Sequence, residues 1–532
     1  MSDVVYDLVV IGGGMGGLAT AALAQRLGLR TALLESHTKV GGCAGFFERG
    51  PYTFDAGATA LMGLSRGEPI GDLAAILGVQ IASAPSWAYR VHLPDRVLDL
   101  RDDDGGFEHE LAGALGARGF AAARLRAFWR IQQAIGRTLF ERSARIPRLP
   151  LGSLGDLLHD LRILGPAGIM AGATSVVTVR HLMSALGLGS DRRFQALVAM
   201  LLEDTAQAGP ETVPLANASA CLHAYRRGMS RPVGGMRAFV ESFARRFEEL
   251  GGDLKVATLV DRVETIAASA RSGDGQAFVV HTRRRDRLSA RHVAFNLPID
   301  LAARLLGRAL EGRLAADESR SRATWSAFTA YLAIDRAAVP DDTPLFHQVL
   351  RSFSEPLHDG NNVLISLSPA GDPGYGPDSV RVATMSTHTR PDDWSRLDQA
   401  ATHLKKQEFQ ARMLAALGQA LPLAPSALVH AEFATPRAFA RYTRRVAGAV
   451  GGPPASRMAS NFFAVGPDAL GPGLFLVGDS VFPGQGTMAV VVSAIRVVER
   501  LTGISWDRLR HDASTAPVRP CRPGGETLAS AS

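Results

Sequence analysis

The sequence predicts an α/β fold, with a helical portion and a mixed strand–helix portion lying between two strand–turn–helix stretches. Three observations predict it. "DLVVIGGGMGGLATAALAQRLGLRTALLE", residues 7 to 35, reads as a strand, a glycine-packed turn, a helix and a second strand ending in an acid. "GLFLVGDS" (473–480) followed by "TMAVVVSAIRVVERL" (487–501) reads as another buried strand, turn and helix far along the chain. Between them the pattern changes: 107–230 is largely helical and arginine-rich, and 320–435 mixes strands with helices.

Taken in order, residues 4–11 form the first expected strand, 16–28 the helix and 30–34 the second strand. Gly12, Gly14 and Gly17 fill the three glycine places of G-x-G-x-x-G. The first permits the tight turn, the second lets a pyrophosphate approach the backbone, and the third lets the helix pack closely on the strand. The helix start, with Met15 and Gly16, offers free N–H groups and a positive dipole end to phosphates. Glu35 lies 18 residues after Gly17 at the strand end, placed to bind ribose hydroxyls. Strand, helix and acid together mark a dinucleotide site. "RVHLPDRVLDL" (90–100) alternates as strands do, and "GGMRAFVESFARRFEELGGDLKVATLVDRVETI" (234–266) gives a helix, a Gly-Gly stop and a strand. Residues 278–296 read as a hairpin ending in "HVAFNLP", and the tail from 511 lacks apolar periodicity and is expected to be disordered.

The chain of 532 residues is 46% hydrophobic and 20% charged, which fits a globular protein of two or three domains. Its net charge of +7 and pI near 9.6 suit an anionic cofactor or membrane surface. No interleaved basic and aromatic stripe points to nucleic acid. The three cysteines, Cys43, Cys221 and Cys521, have no C-x-x-C spacing, so no disulfide scaffold, zinc site or other metal site is expected. "MSDVVYDLVV" is not a secretory signal, and no run reaches the ~18 apolar residues a spanning helix requires. A cytoplasmic protein is expected, in peripheral contact with the inner face of the membrane.

Further along, "GGCAGFFERGPYTFDAGAT" (41–59), "SRPVGGMRAFVESF" (230–243), "AFNLP" (294–298) and "GLFLVGDSVFPGQGTM" (473–488) extend the fingerprint. Together these motifs resemble the phytoene desaturase and carotenoid isomerase group of the flavin amine oxidase superfamily, closest to the C-3′,4′ carotenoid desaturases. The resemblance spans most of the chain. It implies a Rossmann-like FAD-binding domain formed by 1–80, 230–300 and 456–510, a substrate domain formed by 81–229 (helical, membrane-facing) and 301–455, and a tail at 511–532. It implies FAD contacts from Gly12, Gly14, Met15, Gly16 and Gly17, from Glu35 and Ser36, and from Gly41, Gly42 and Cys43. It carries the same role to Asp55, Gly57, Ala58 and Thr59, to the backbone of Val260 at the adenine, and to Gly478 and Asp479 at the ribityl chain or pyrophosphate. Gly484, Gly486, Thr487 and Met488 would let the backbone and the following helix approach the isoalloxazine. The family's Asn-x-x-Pro is one residue shorter here, which leaves Asn296 and Pro298 without an assigned role.

Amine oxidases carry Gly-Gly-Arg where this chain has Gly41-Gly42-Cys43, and an aromatic cage where "SVFPGQGTMAVVVSA" has one Phe. The implied reaction is therefore FAD-dependent desaturation of a carotenoid or similar apolar polyene, with a quinone or oxygen as candidate final acceptors. Redox-neutral isomerisation and polyene saturation share the motifs and stay open, with a non-enzymatic prenyl-lipid-binding protein as a remote third class. The catalytic base is unassigned; Glu203 and Asp204 in "LLEDTAQ" are the acids offered for it. In 117–150, Leu125, Phe128, Ile131, Ile135 and Leu139 fall at helical spacing among eight arginines and one acid, as in a helix lying in a membrane interface. An ordinary helix packing its stripe on the core has the same pattern. The segment 158–189 reads as tunnel wall or buried core. "GLSRG" around Ser65 matches a hydrolase elbow but follows no strand, and His181 and His223 read as core histidines.

Overall fold

The structure is a computed structural model that describes residues 5–101, 111–113, 115–143, 145–266, 277–322, 325–456 and 460–513. β1 (Val5–Ile11) is the axis of a seven-stranded sheet. It pairs in parallel with β2 (Thr31–Leu34) on one side and β12 (Arg287–Phe295) on the other. β9 (Asp253–Lys255) extends the sheet beyond β2, while β10 (Val260–Ile266) and β11 (Ala277–Thr282) add an antiparallel meander beyond β12. The short β18 (Leu474–Leu476) also lies parallel to β12. Both faces of β1 are covered, so its inner residues run apolar without alternation. The helix Met15–Arg26 is buried from Met15 to Ala24, and its glycines and alanines give it close approach rather than an amphipathic stripe.

The second seven-stranded sheet is drawn from residues 89–100 and 326–434. Its order is β17 (Leu428–Ala434), β13 (Ser326–Asp335), β16 (Val380–Thr389), β15 (Asn362–Leu367), β14 (Phe346–Leu350), β6 (Tyr89–Leu93) and β7 (Arg96–Leu100). Among the described residues of this sheet, only β14 and β6 pair in parallel. Two ribbons, β3 (Phe46–Arg49) with β4 (Tyr52–Asp55) and β5 (Ser83–Pro85) with β8 (Ser230–Pro232), lead from one sheet region to the other. The helix Gln399–Ala420 packs Phe409, Met413 and Leu417 on the second sheet, and the helices of 120–226 share a core with its β6 and β14 end.

Inside that sheet His92 and His347 stack at 5.4 Å, both buried. His347 Nε2 faces the Pro344 carbonyl at 2.9 Å and must donate. Its Nδ1 is then the acceptor for a proton on His92 Nε2 at 3.1 Å, so both rings are held neutral. Burial first, then nearby Arg90 or the other ring, pushes His92 down to about 4 and His347 to about 3. An unfolded chain takes up these protons near pH 6.5, so folding stability should be full above that pH. It should fall by up to about 1.4 kcal/mol per pH unit per ring as pH drops towards 4. Melts across pH 7 to 4 check this, and His347→Gln should flatten the slope.

The helix Phe120–Ser143 decides between the two readings of 117–150 in favour of core packing. Leu125, Phe128, Trp129 and Phe140 are buried, and Ile135 packs on the same core. Gly136 makes this fit, since a Cβ there would stand 2.2 Å from the Ser219 carbonyl of the helix Leu215–Arg226. The stripe faces protein; Ile131 alone of its five members is exposed.

The segment 158–189 is corrected too, because much of it is neither tunnel wall nor core. The helix Leu154–Ala173, broken at Gly165 before Pro166, is turned inside out. Its acids point inwards: Asp156 is held by Arg500 at 3.0 Å, and Asp160 accepts the Arg148 N–H at 2.7 Å. Leu154, Leu158, Met170 and, beyond the helix, Val176 are 60–73% exposed. Among the described residues no helix is long and apolar enough to cross a membrane. The expected tail lies outside the described residues beyond 513.

Candidate functional site

Three distant segments converge at the carboxyl end of β1. The turn after it places Gly12 at φ +105°, open to glycine alone, and a Cβ there would meet the Asn296 carbonyl at 2.6 Å. Asn296, at the end of β12, fills the hub. Its side chain donates to the Gly12 carbonyl at 3.2 Å and lies within 2.7–2.8 Å of where a Cβ would stand on Gly14, Gly16 or Gly478. One asparagine thus accounts for three glycines in two loops far apart in sequence, and the role the sequence left unassigned is structural.

Gly41 and Gly42 close on this turn: Gly41 N–H donates to the Gly13 carbonyl at 2.8 Å, and Gly14 bridges Gly41. Glu35 accepts the N–H of Gly13 at 2.7 Å and of His37 at 2.6 Å, with Ser36 Oγ at 3.2 Å. Its carboxylate therefore sits over the glycine turn. Thr258 N–H bonds the Glu35 carbonyl at 2.8 Å, which brings Val260 and the start of β10 to the same end of the sheet.

From Cys43 the chain runs outward to the second sheet. Ala58 N–H donates to the Cys43 carbonyl at 2.9 Å, and a Cβ on Gly57 would crowd that carbonyl. Thr59 Oγ1 meets Ser366 Oγ of β15 at 2.7 Å. Asp55 does a different job from the rest of its segment. It is fully buried, paired with Arg231, and accepts from Met236 N–H at 2.9 Å and Tyr375 OH at 3.0 Å. Both oxygens are engaged by protein, which makes Asp55 a fastener between β4, β8 and the second sheet.

The third segment follows β18. Gly478 N–H is held by Ser493 Oγ at 3.0 Å. Gly484 and Gly486 have φ of +115° and +100°, with open space where side chains would project, and Gly486 caps the helix Thr487–Thr502. Met488 lies against Gly63. Between the two glycines, Gln485 Nε2 donates to the carbonyls of Asp204 at 3.2 Å and Thr205 at 2.9 Å. This bond ties the loop to the end of the helix Arg192–Ala206.

Asp204 accepts from Tyr225 OH at 3.1 Å. Burial pushes its carboxyl up; His388 and Tyr225 pull it back, and Glu203 adds to the rise. Glu203 is tied instead to the second sheet through Asn362 at 2.9 Å. Ser65 is exposed on a loop ahead of the helix Pro69–Leu77, without an elbow's strand. His181 caps its own helix by bonding Thr178.

A model of the flavin-containing amine oxidoreductases matches residues 15–502. The chain belongs to that family. It is 24% identical over 530 residues to the chloroplastic prolycopene isomerase of Arabidopsis thaliana, covering 93% of this chain and 82% of the relative. It is 27% identical over 540 residues to the phytoene dehydrogenase of Streptomyces griseus, covering 94% and 96%. Putrescine oxidase bound to putrescine has the same fold, with a TM-score of 0.62 at 13% identity over 94% of this chain and 100% of that one.

FAD is the cofactor of this flavoprotein, and the residues present fit it. The glycines of 12–17, with Gly41 and Gly42, present backbone, a carboxylate stands at the end of β2, and Gly484 and Gly486 leave open space where side chains would project. One residue escaped the sequence reading. Arg445 reaches from the segment after the helix Pro436–Thr443, and its Nη2 donates to both carboxylate oxygens of Asp479, at 2.7 and 2.8 Å. Its other arm bonds the Gly451 carbonyl at 2.8 Å, and the Cys43 thiol is near enough to feel its charge. Burial pushes that thiol up. The strap holding Arg445 is strained, with Arg444 at φ 60° and Ala447 at φ 51°. The aspartate expected at the cofactor's anionic portion therefore comes already neutralised.

Proposed function

We propose that this flavoenzyme desaturates a long apolar polyene of carotenoid type. The reading rests on the near-full-length likeness to relatives named for prolycopene and phytoene. The absence of a second ring beside Phe482 in the Gly478–Met488 loop, where an amine cage would stand, also favours it. FAD, when bound, supplies a two-electron acceptor for a hydride leaving an allylic carbon. The protein's part is orientation, exclusion of water and the handling of one proton. Gly12, Gly14, Gly41 and Gly42 bring backbone to the diphosphate, Glu35 meets ribose hydroxyls, and the Arg445–Asp479 pair presents polar groups without net charge. Asp204 takes the proton lost from the carbon next to the cation; its half-buried carboxyl is held by Tyr225, and Gln485 ties its backbone to the 484–486 loop. Asp204→Asn is expected to keep FAD and lower turnover by about 100-fold.

The decisive experiment is mass analysis of polyenes from a carotenoid-producing host with and without the protein. Loss of two hydrogens supports the reading; an unchanged mass refutes it. The second reading, redox-neutral isomerisation, is favoured by the isomerase relatives and predicts an unchanged mass with a shifted retention time.

The substrate dissolves in membranes, and the apolar outer surface of 154–177 is the face that would meet them, at the inner leaflet. Arg145 and Arg162 are exposed beside it and suit lipid phosphates. Inserting a leucine of this face gains about 1.5–3 kcal/mol. Leu158→Glu with Met170→Glu should release the protein from sedimented vesicles while leaving its FAD absorbance unchanged.

A further inference from the structure

Away from the cofactor cradle, the molecule holds a partly open cavity of about 320 Å³ between the 65–68 loop and the helices Phe120–Ser143 and Leu215–Arg226. Arg66, Arg137, Arg226 and Arg227 line it, together with His223. Close packing at Gly136 brings the arginines together: with the two helices in contact there, Arg137 on one and Arg226 on the other face the same space. Arg226 is buried, while Arg66, Arg137 and Arg227 are exposed around it.

Two carboxylates share the lining, Glu68 and Glu141. Glu68 is buried, paired with Arg227, and accepts the Ser65 N–H at 2.9 Å. Its charge is thus spent within the wall. Glu141 is exposed. Arg66 also lies 3.9 Å from the buried Asp72 behind the loop, which Arg510 pairs at 2.7 Å. Four guanidiniums against two lining carboxylates still leave the cavity positive, and planar guanidinium forks match the oxygens of phosphate. The space exceeds a bare phosphate, and the Phe140 ring offers an apolar wall for the rest of an ester.

We propose that this cavity binds a phosphate group carried on a larger molecule. The chemistry is shared by a phospholipid headgroup and a soluble phosphate ester. The lipid source has a geometric argument: Arg142, one residue beyond the lining Glu141, bonds the Ile163 carbonyl of the helix that bears the exposed apolar face. The proposal needs neither polyene chemistry nor bound FAD.

The test titrates the FAD-loaded full chain with inorganic phosphate by calorimetry, chloride keeping the ionic strength constant. Arg66→Gln/Arg137→Gln serves as the variant, because both side chains are exposed and removed from the cofactor cradle. Wild type should bind saturably, and the double variant about tenfold or more weakly, with unchanged FAD content and melting. Vesicles with and without phosphatidic acid form the second arm. Arginine-dependent retention on phosphatidic acid that phosphate displaces assigns the lipid. Saturable phosphate binding without such retention assigns a soluble ester. No saturable binding of phosphate together with equal vesicle retention of both proteins overturns the proposal, as does unchanged phosphate affinity in the variant.

Discussion

Arg445→Gln is expected to lose FAD about 10- to 100-fold more readily than the wild-type chain. The Arg445–Asp479 pair is the reason. Without the guanidinium, Asp479 stands as a bare carboxylate among residues assigned to the cofactor's ribityl and diphosphate, and it repels the dianion. Charge-assisted hydrogen bonds of this type contribute about 1.5–3 kcal/mol, which converts to that range in affinity. Flavin fluorescence during dilution or dialysis measures it. Arg445→Lys should fall between, because an ammonium keeps the charge but has no second arm for the Gly451 carbonyl. The double change Arg445→Gln/Asp479→Asn should recover much of the loss, since it removes the repulsion along with its counterion. If the single glutamine variant holds FAD as tightly as wild type, the strained strap serves the fold and not the cofactor.

Arg231→Met should be the most damaging single change to folding. Arg231 and Asp55 are both fully buried and ion-paired, with Tyr375 OH accepting from Arg231 at 2.9 Å and donating to Asp55 at 3.0 Å. For Asp55, burial pushes the carboxyl up, and Arg231, the Met236 N–H and Tyr375 pull it back. Arg231 remains charged, its burial outweighed by Tyr375 and Asp55. Removing one partner strands the other's charge in the interior, at a cost of about 3–5 kcal/mol. Urea unfolding followed by tryptophan fluorescence should show a lowered midpoint, with FAD leaving early because this pair joins β4 to β8. Arg231→Met/Asp55→Asn should be closer to wild type than Arg231→Met alone. Equal destabilisation by both would mean that packing, not charge, carries the effect.

Local chemistry made the cofactor half of the molecule legible. The strand–turn–helix at 5–26 was readable because β1 is buried on both faces and because G-x-G-x-x-G meets a backbone need that few other residues satisfy. Gly484 and Gly486 were readable for the same reason, a positive φ. Periodicity alone could not place the helices. Leu125, Phe128 and Ile135 present the same stripe to a membrane or to a neighbouring helix, and only Gly136 against Ser219 shows which. At Leu154–Ala173 the pattern ran the other way: the acids are inside because Arg500 and the Arg148 N–H meet them there, and the leucines are left outside.

Whatever depends on one residue and its sequence neighbours was therefore fixed by the chain itself: the glycine turn, the acid ending β2, the short strand before Gly478, the α/β class. Whatever depends on partners hundreds of residues away was decided by tertiary structure. Asn296 fits between glycines of two distant loops, Arg445 neutralises Asp479, Asp55 turns from cofactor candidate to buried fastener, and Gln485 fixes Asp204 beside the flavin loop. Charges and hydrogen bonds act over a few ångströms of space, and sequence separation carries no information about that distance.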